Sequence, residues 1–180
     1  ANGYLLDQFL QDSTNKRTDA YGGPIENRAR LMLKVVDAAI EVWGADRVGL
    51  HLAPRGDTQD MGDSNPLETF GYVASEVGKR KIAFICTREY QGPDSISPEL
   101  KKRFGGIFIG NEKFTKESAK AAINAGTVDA VAFGKIFLAN PDLAERFKLD
   151  APLNTPEPES FYGGTDKGYI DYPALEHAKT

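Results

Sequence analysis

The chain has 180 residues, 41% hydrophobic and 27% charged, with a formal net charge of −4. These are the proportions of a globular protein with enough sequence to bury a sizeable core. They argue against a nucleic-acid binder, because no segment concentrates Lys and Arg on one face. The basic runs Lys79-Arg80-Lys81 and Lys101-Lys102-Arg103 each close a predicted helix, where cations suit the dipole. A single cysteine, Cys86, leaves no internal disulfide and suits a reducing compartment. Placed in Ile82-Ala83-Phe84-Ile85-Cys86, it reads as a buried structural thiol. His51 and His177 lack the Cys/His spacing of a zinc site, so no metal is expected. The sequence shows neither an apolar run of about 18 residues nor a signal peptide, which predicts a cytoplasmic protein that does not engage a membrane.

In chain order, residues 1–10 read as the mouth of a strand entering a loop, with Asn2 and Tyr4 on one side. A polar loop from Asp12 to Tyr21 ends at Gly22-Gly23, and Pro24 suits the first turn of a helix. Ile25, Ala29, Met32, Val36, Ala39, Ile40 and Trp43 recur every three or four residues, an amphipathic helix closed by Gly44. Arg47 to Leu52 is a strand apolar enough to be buried on both faces. A long Gly/Asp/Ser/Asn loop runs to Pro66, and loops of that length are often functional. The next helix, Leu67 to Lys79, points Phe70, Val73, Ala74 and Val77 inward, and strand Ile82 to Cys86 follows.

The pattern then repeats. Ser97-Pro98-Glu99 opens a short helix, and Gly106 to Gly110 is a third strand. Thr115 caps a helix through Ala125 with Gly126 as its left-handed stop. Asp129 to Gly134 is a fourth strand, and Asn140-Pro141-Asp142 begins a last helix. Residues 1–150 form the domain, and 151–180 read as its ordered tail. Strands alternating with helices at this spacing mean a parallel α/β sheet with right-handed crossovers. An open doubly wound sheet and a (β/α)8 TIM barrel both satisfy that pattern. No Gly-x-Gly-x-x-Gly follows the first strand, which counts against a dinucleotide fold. Four strands do not close a barrel, so barrel sequence here means half of one. At the ends of the third and fourth strands, Gly110-Asn111 and Gly134-Lys135 suggest a phosphate grip: small residues let backbone N–H groups approach an anion and Lys adds the counter-charge. Taken singly, each Gly is more often a turn residue; the two on successive strands bring the two readings level.

Three stretches carry a resemblance: Asn2-Gly3-Tyr4-Leu5-Leu6-Asp7-Gln8-Phe9-Leu10, Asn15 to Gly23, and Ile25-Glu26-Asn27-Arg28-Ala29-Arg30. Ala139-Asn140-Pro141-Asp142-Leu143, Pro152-Leu153-Asn154, Phe161-Tyr162 and Gly168 to Pro173 extend it to the far end. The chain resembles the old yellow enzyme family, in the texture of its N-ethylmaleimide, glycerol trinitrate and xenobiotic reductases. The resemblance implies the C-terminal half of an FMN-binding (β/α)8 barrel, from the end of strand four through strand eight. It implies an FMN-dependent ene-reductase using NADPH or NADH on activated alkenes, with nitrate esters as further substrates. Asn2 matches the second member of a His-x-x-Asn pair that binds the substrate's carbonyl or nitro oxygen, and Tyr4 matches the proton donor. A phenol suits that role, since with a pKa of about 10 it holds its proton until a carbanion forms. Gly110, Asn111, Gly134 and Lys135 match the FMN phosphate site, and Tyr162 an aromatic lining the substrate cleft.

Three departures stand out. His51 occupies the place of a flavin-facing Arg, and a His is a cation only when protonated. Lys135 replaces an Arg, keeping the charge without the bidentate fork. The His of the His-x-x-Asn pair would fall two residues before Ala1, and the first strands would precede it too. A half barrel leaves strand edges and an apolar interior uncovered, so the expected partner is a complementary N-terminal half-barrel, on a second chain or the same one. Two other readings remain: a phosphate-binding barrel lyase or isomerase resting on Lys135, and a non-catalytic half-barrel serving assembly.

Overall fold

A computed structural model describes residues 2–56 and 58–175; His177 lies outside them. Eleven regular elements order the described chain: α1 Leu5–Leu10, α2 Ile25–Trp43, β1 Gly49–Leu52, α3 Pro66–Lys79, β2 Phe84–Arg88, α4 Ser97–Phe104, β3 Ile107–Asn111, α5 Lys116–Asn124, β4 Ala130–Val131, α6 Lys135–Ala139 and α7 Leu143–Leu149. The sheet runs β1-β2-β3-β4 with every neighbour parallel. Each crossover carries one helix, as parallel pairing requires.

Local signals set the helices. α2 begins after Pro24 and ends at Gly44, whose φ of +84° favours glycine. Asn65 caps α3 by accepting from the Glu68 N–H, with proline in its first turn. Thr115 and Ser118 form a capping box on α5, and Gly126 follows with φ +70°. Phe70, Val73, Ala74 and Val77 of α3 are all buried, as their spacing predicts. The core joins them to Ala29, Met32 and Val36 of α2 and to Ile85 and Phe108 of the sheet.

Four expectations are corrected. The opening stretch is not a strand mouth: residues 2–4 turn and Leu5–Leu10 is helical. Gly3 has φ +70°, which breaks extended alternation, and Leu6 and Leu10, four apart, then meet the core. Trp43 is 65% exposed, because the core meets α2 only as far as Ala39 and Ile40 and leaves its last residues uncovered. β1 is buried on one face only, with Gly49 and His51 open and Leu50 and Leu52 inward. Cys86, on the same open face, is half-buried.

The chain divides into two units, Ala1–Ala132 and Phe133–Thr180. The first holds the sheet and core. In the second, Asn140 is fully buried and donates to the Ile136 carbonyl at 2.8 Å, while its Oδ1 accepts from the Asn154 N–H at 2.7 Å. Arg146 pairs with Asp142 at 2.7 Å and donates to the Pro152 and Pro173 carbonyls. The Leu175 N–H donates to Asp142 Oδ2 at 2.7 Å, a further tie between residues 152–175 and the start of α7. Among the described residues no helix is long and apolar enough to cross a membrane.

Candidate functional site

Strand pairing places the candidate residues. His51, Cys86 and Ile109 are in register across β1, β2 and β3, and Arg88 pairs with Asn111 at the carboxyl ends. These residues share the open face, since residues two apart on a strand point the same way. At the other end of that face Phe84 lies over Gly49, where an added Cβ would come within 2.4 Å of its ring. The open face therefore grades from apolar at the amino ends of the strands to polar at the carboxyl ends.

Asn2 and His51 are brought to one cavity. Both line a cavity of about 80 Å³ with Leu6, Asp7, Met32 and Leu50. Burial pushes the His51 pKa below its ordinary value, the Arg88 charge lowers it further, and Asp7 opposes both. His51 is therefore a neutral imidazole at neutral pH, not the fixed cation that an arginine would supply. Tyr4 stands 60% exposed beside this cavity rather than in its lining. Its position is set by the Gly3 turn: the Gly3 N–H donates to Asp7 Oδ2 at 2.8 Å and its carbonyl accepts from Gln8 Nε2 at 2.9 Å.

Gly110 and Asn111 end β3 on opposite faces. Gly110 points into the core, where a Cβ would press on Val128 at 2.9 Å and Phe114 at 3.1 Å, so packing alone requires a glycine there. Asn111 spans to β4 by donating to the Ala132 carbonyl at 2.8 Å. Glu112 follows with φ +100° and Lys113 with φ +56°. The Glu112 carboxylate accepts from Arg88 Nε at 2.7 Å. In the second unit, Gly134 and Lys135 begin α6, both exposed, with nothing within 4 Å of a Cβ built on Gly134. Tyr162, 97% exposed, lines an open cavity of about 520 Å³ with Phe161, Asp166 and Tyr169.

Sequence reasoning missed several residues that shape these ends. Glu89, fully buried, accepts from the Ile96 and Ser97 N–H groups at 2.9 Å and pairs with Arg55 at 2.9 Å, tying the loop after β1 to the loop after β2. Asp7 and Glu112 act through backbone geometry; only Asp7, three residues after the residue that precedes α1, carries a readable helix-start signal. Among the described residues no group of three or more His, Cys, Asp and Glu is placed to hold a metal ion.

A parallel α/β sheet with polar groups gathered at the carboxyl ends of its strands is the arrangement in which barrel folds, like open parallel sheets, place their sites. More particularly, the chain belongs to the NADH:flavin oxidoreductase / NADH oxidase family, whose profile it matches over residues 1–154. It is 42% identical over 181 residues to a probable flavin mononucleotide-dependent alkene reductase of Leishmania infantum, covering 97% of this chain and 49% of that protein. To 12-oxophytodienoate reductase 2 of Arabidopsis thaliana it is 40% identical over 185 residues, covering 98% and 50%. It superposes on morphinone reductase in complex with tetrahydroNAD with a TM-score of 0.95 at 44% identity, covering all of this chain and 50% of the other. The old yellow enzyme homologue from Zymomonas mobilis gives 0.93 at 41% identity, covering 97% and 51%. The chain thus spans about half the length of the relatives it matches.

Proposed function

We propose that this chain is the C-terminal half of an FMN-dependent NAD(P)H ene-reductase acting on activated alkenes such as enones, maleimides and nitroalkenes, with nitrate esters as further substrates. The observation that carries the reading is the cavity shared by Asn2 and His51 at the strand ends of a chain matched by this family over residues 1–154. The residues present fit a flavin mononucleotide. The open face offers Cys86 and Ile109, in register with His51, to a ring system, and His51 and Asn2 to its polar edge. Gly134 has clear space for backbone approach, and exposed Lys135 next to it supplies a cation for a phosphate. When bound, FMN supplies the hydride chemistry, taking reducing equivalents from NADPH or NADH and passing them to the alkene.

The chain's own residues orient and protonate. The Asn2 amide donates to the carbonyl or nitro oxygen, which draws electron density from the double bond. The Tyr4 hydroxyl gives its proton to the alkene carbon that does not receive hydride. Tyr162 contributes an aromatic wall for the substrate. The open strand face and the unpaired outer edges of β1 and β4 call for a complementary N-terminal half-barrel, on the same or another chain, to close the site. The free thiol of Cys86 supports a reducing, cytoplasmic setting. Lys135, on which a lyase or isomerase reading would rest, stands exposed rather than in the desolvated pocket such chemistry uses.

Tyr4→Phe in the flavin-loaded protein tests the assignment. Alkene reduction should fall about 100-fold or more while flavin reduction by NADPH is retained. Equal losses in the two half-reactions would remove Tyr4 from the proton-donor role.

A further inference from the structure

Gly3 lies between the two residues that the proposed reaction uses, and side chains of α1 hold both of its backbone polar groups. Asp7 Oδ2 accepts from the Gly3 N–H at 2.8 Å, and Gln8 Nε2 donates to the Gly3 carbonyl at 2.9 Å. The other Asp7 oxygen accepts from Gln11 Nε2 at 2.8 Å, and Gln11 is wholly buried. The Gly3 φ of +70° belongs to the left-handed region, and a Cβ there would come within 2.8 Å of Gln59 Oε1 and 3.0 Å of the Thr58 carbonyl. The two peptide planes that aim Asn2 and Tyr4 are therefore fixed from three sides.

Starting a six-residue helix does not require this arrangement. Tyr4, which precedes α1, makes no side-chain cap, and Asp7 reaches past it to Gly3. A buried carboxylate is costly unless hydrogen-bonded, and this one sits in the cavity with Asn2 and His51.

We propose that Asp7, with Gln8 and Gln11 behind it, is a positioning residue that locks the Gly3 turn so that Asn2 and Tyr4 address one substrate together. The proposal rests on the ene-reductase reading. Releasing the lock leaves both functional groups in the protein but no longer aimed jointly, and a misplacement of about 1 Å costs about 100-fold in rate.

The test is a double-mutant cycle in the assembled, flavin-loaded protein, following alkene reduction, quinone reduction and flavin reduction by NADPH separately. Asp7→Ala should slow alkene reduction about 100-fold and quinone reduction by a smaller factor, because a quinone loses the aim of Asn2 on its oxygen but takes up electrons without protonation at carbon. Added to Tyr4→Phe, the same change should slow alkene reduction further only by the smaller factor that it costs quinone reduction. Asp7→Asn should keep the rate: its Oδ1 accepts from Gly3, and its amide donates to Gln11 Oε1, an oxygen without a partner among the described residues, once the Gln11 amide turns over. Should Asp7→Ala fail to fold, exposed Gln8→Ala carries the test; a loss greater for alkene than for quinone reduction supports the lock, and an unchanged rate overturns it. Additive losses in the double variant, or parallel losses of alkene and quinone reduction, overturn the lock while leaving the Tyr4 assignment standing. If Tyr4→Phe alone has no effect, the reading of Tyr4 fails and the lock with it.

Discussion

The Arg28 guanidinium and the Asp63 carboxylate meet at 2.8 Å with side-chain exposures of 7% and 0%. Arg28 also donates to the carbonyls of Leu10 and Gly23 and to Thr69 Oγ1, while Asp63 accepts from the Asp12 and Asn65 N–H groups. One ion pair thus joins the end of α1, the entry to α2 and the loop leading to α3. Removing either partner leaves the other charge buried and alone, so Arg28→Ala and Asp63→Ala should each cost about 3–5 kcal/mol. Urea titration of the assembled protein reads this as a lowered midpoint; a change within error would mean that the loops are held by other contacts.

Glu112 occupies a backbone conformation suited to glycine, with φ +100°. Its partly exposed pair with Arg88 contributes about 0–1 kcal/mol, less than the roughly 1–3 kcal/mol that such a conformation costs a side-chain-bearing residue. Glu112→Gly should raise the melting temperature. It should also tighten FMN binding in a fluorescence titration, since it removes a carboxylate next to Asn111 that would repel a phosphate. A lower melting temperature would show that the Arg88 pair outweighs the backbone strain.

His51 gives a pH dependence with a definite sign. Its pKa in the folded chain lies below the ordinary value of 6.5, through burial first, with the Arg88 charge also lowering it. The unfolded chain therefore binds the proton more readily. The contribution of His51 to stability is fully present above the unfolded pKa and is lost as pH falls through the folded one. Urea midpoints should decline on acidification from neutral pH through that window, and His51→Gln should flatten that part of the profile. The same slope in both proteins would place the titration elsewhere.

His51→Arg replaces a neutral ring by a fixed cation in the cavity shared with Asn2. A cation there favours the more negative, reduced form of a bound flavin, so the midpoint potential should rise in a spectroelectrochemical titration. An unchanged or lower potential would remove His51 from the flavin's surroundings.

Signals contained within a few residues were legible in the sequence. Thr115 and Gly126 bracket α5, Pro24 and Gly44 bracket α2, and the spacing of Phe70, Val73, Ala74 and Val77 marks the inner face of α3. Strand ends are set by neighbours instead. β2 runs Phe84–Arg88 rather than Ile82–Cys86 because it pairs with Gly49–Leu52 on one side and Ile107–Asn111 on the other. The open face was not legible, since parallel strands are apolar on both sides whether or not a partner covers them. Among the site residues, Asn2 and His51 come from separate stretches that motif resemblance named and that folding brings onto one cavity. Glu112 works by a dihedral angle, which leaves no pattern of residue types, and Asp7 carries a helix-start signal that does not show its bond to the Gly3 N–H.

The central claim is that this chain, with a complementary N-terminal half, binds FMN and passes reducing equivalents to an activated alkene. The most direct measurement is the visible spectrum of the assembled protein after FMN is added and unbound flavin removed. Retained flavin absorbance that bleaches with NADPH and returns on addition of an enone is the predicted result. A sample that stays colourless with the N-terminal half present would contradict the account.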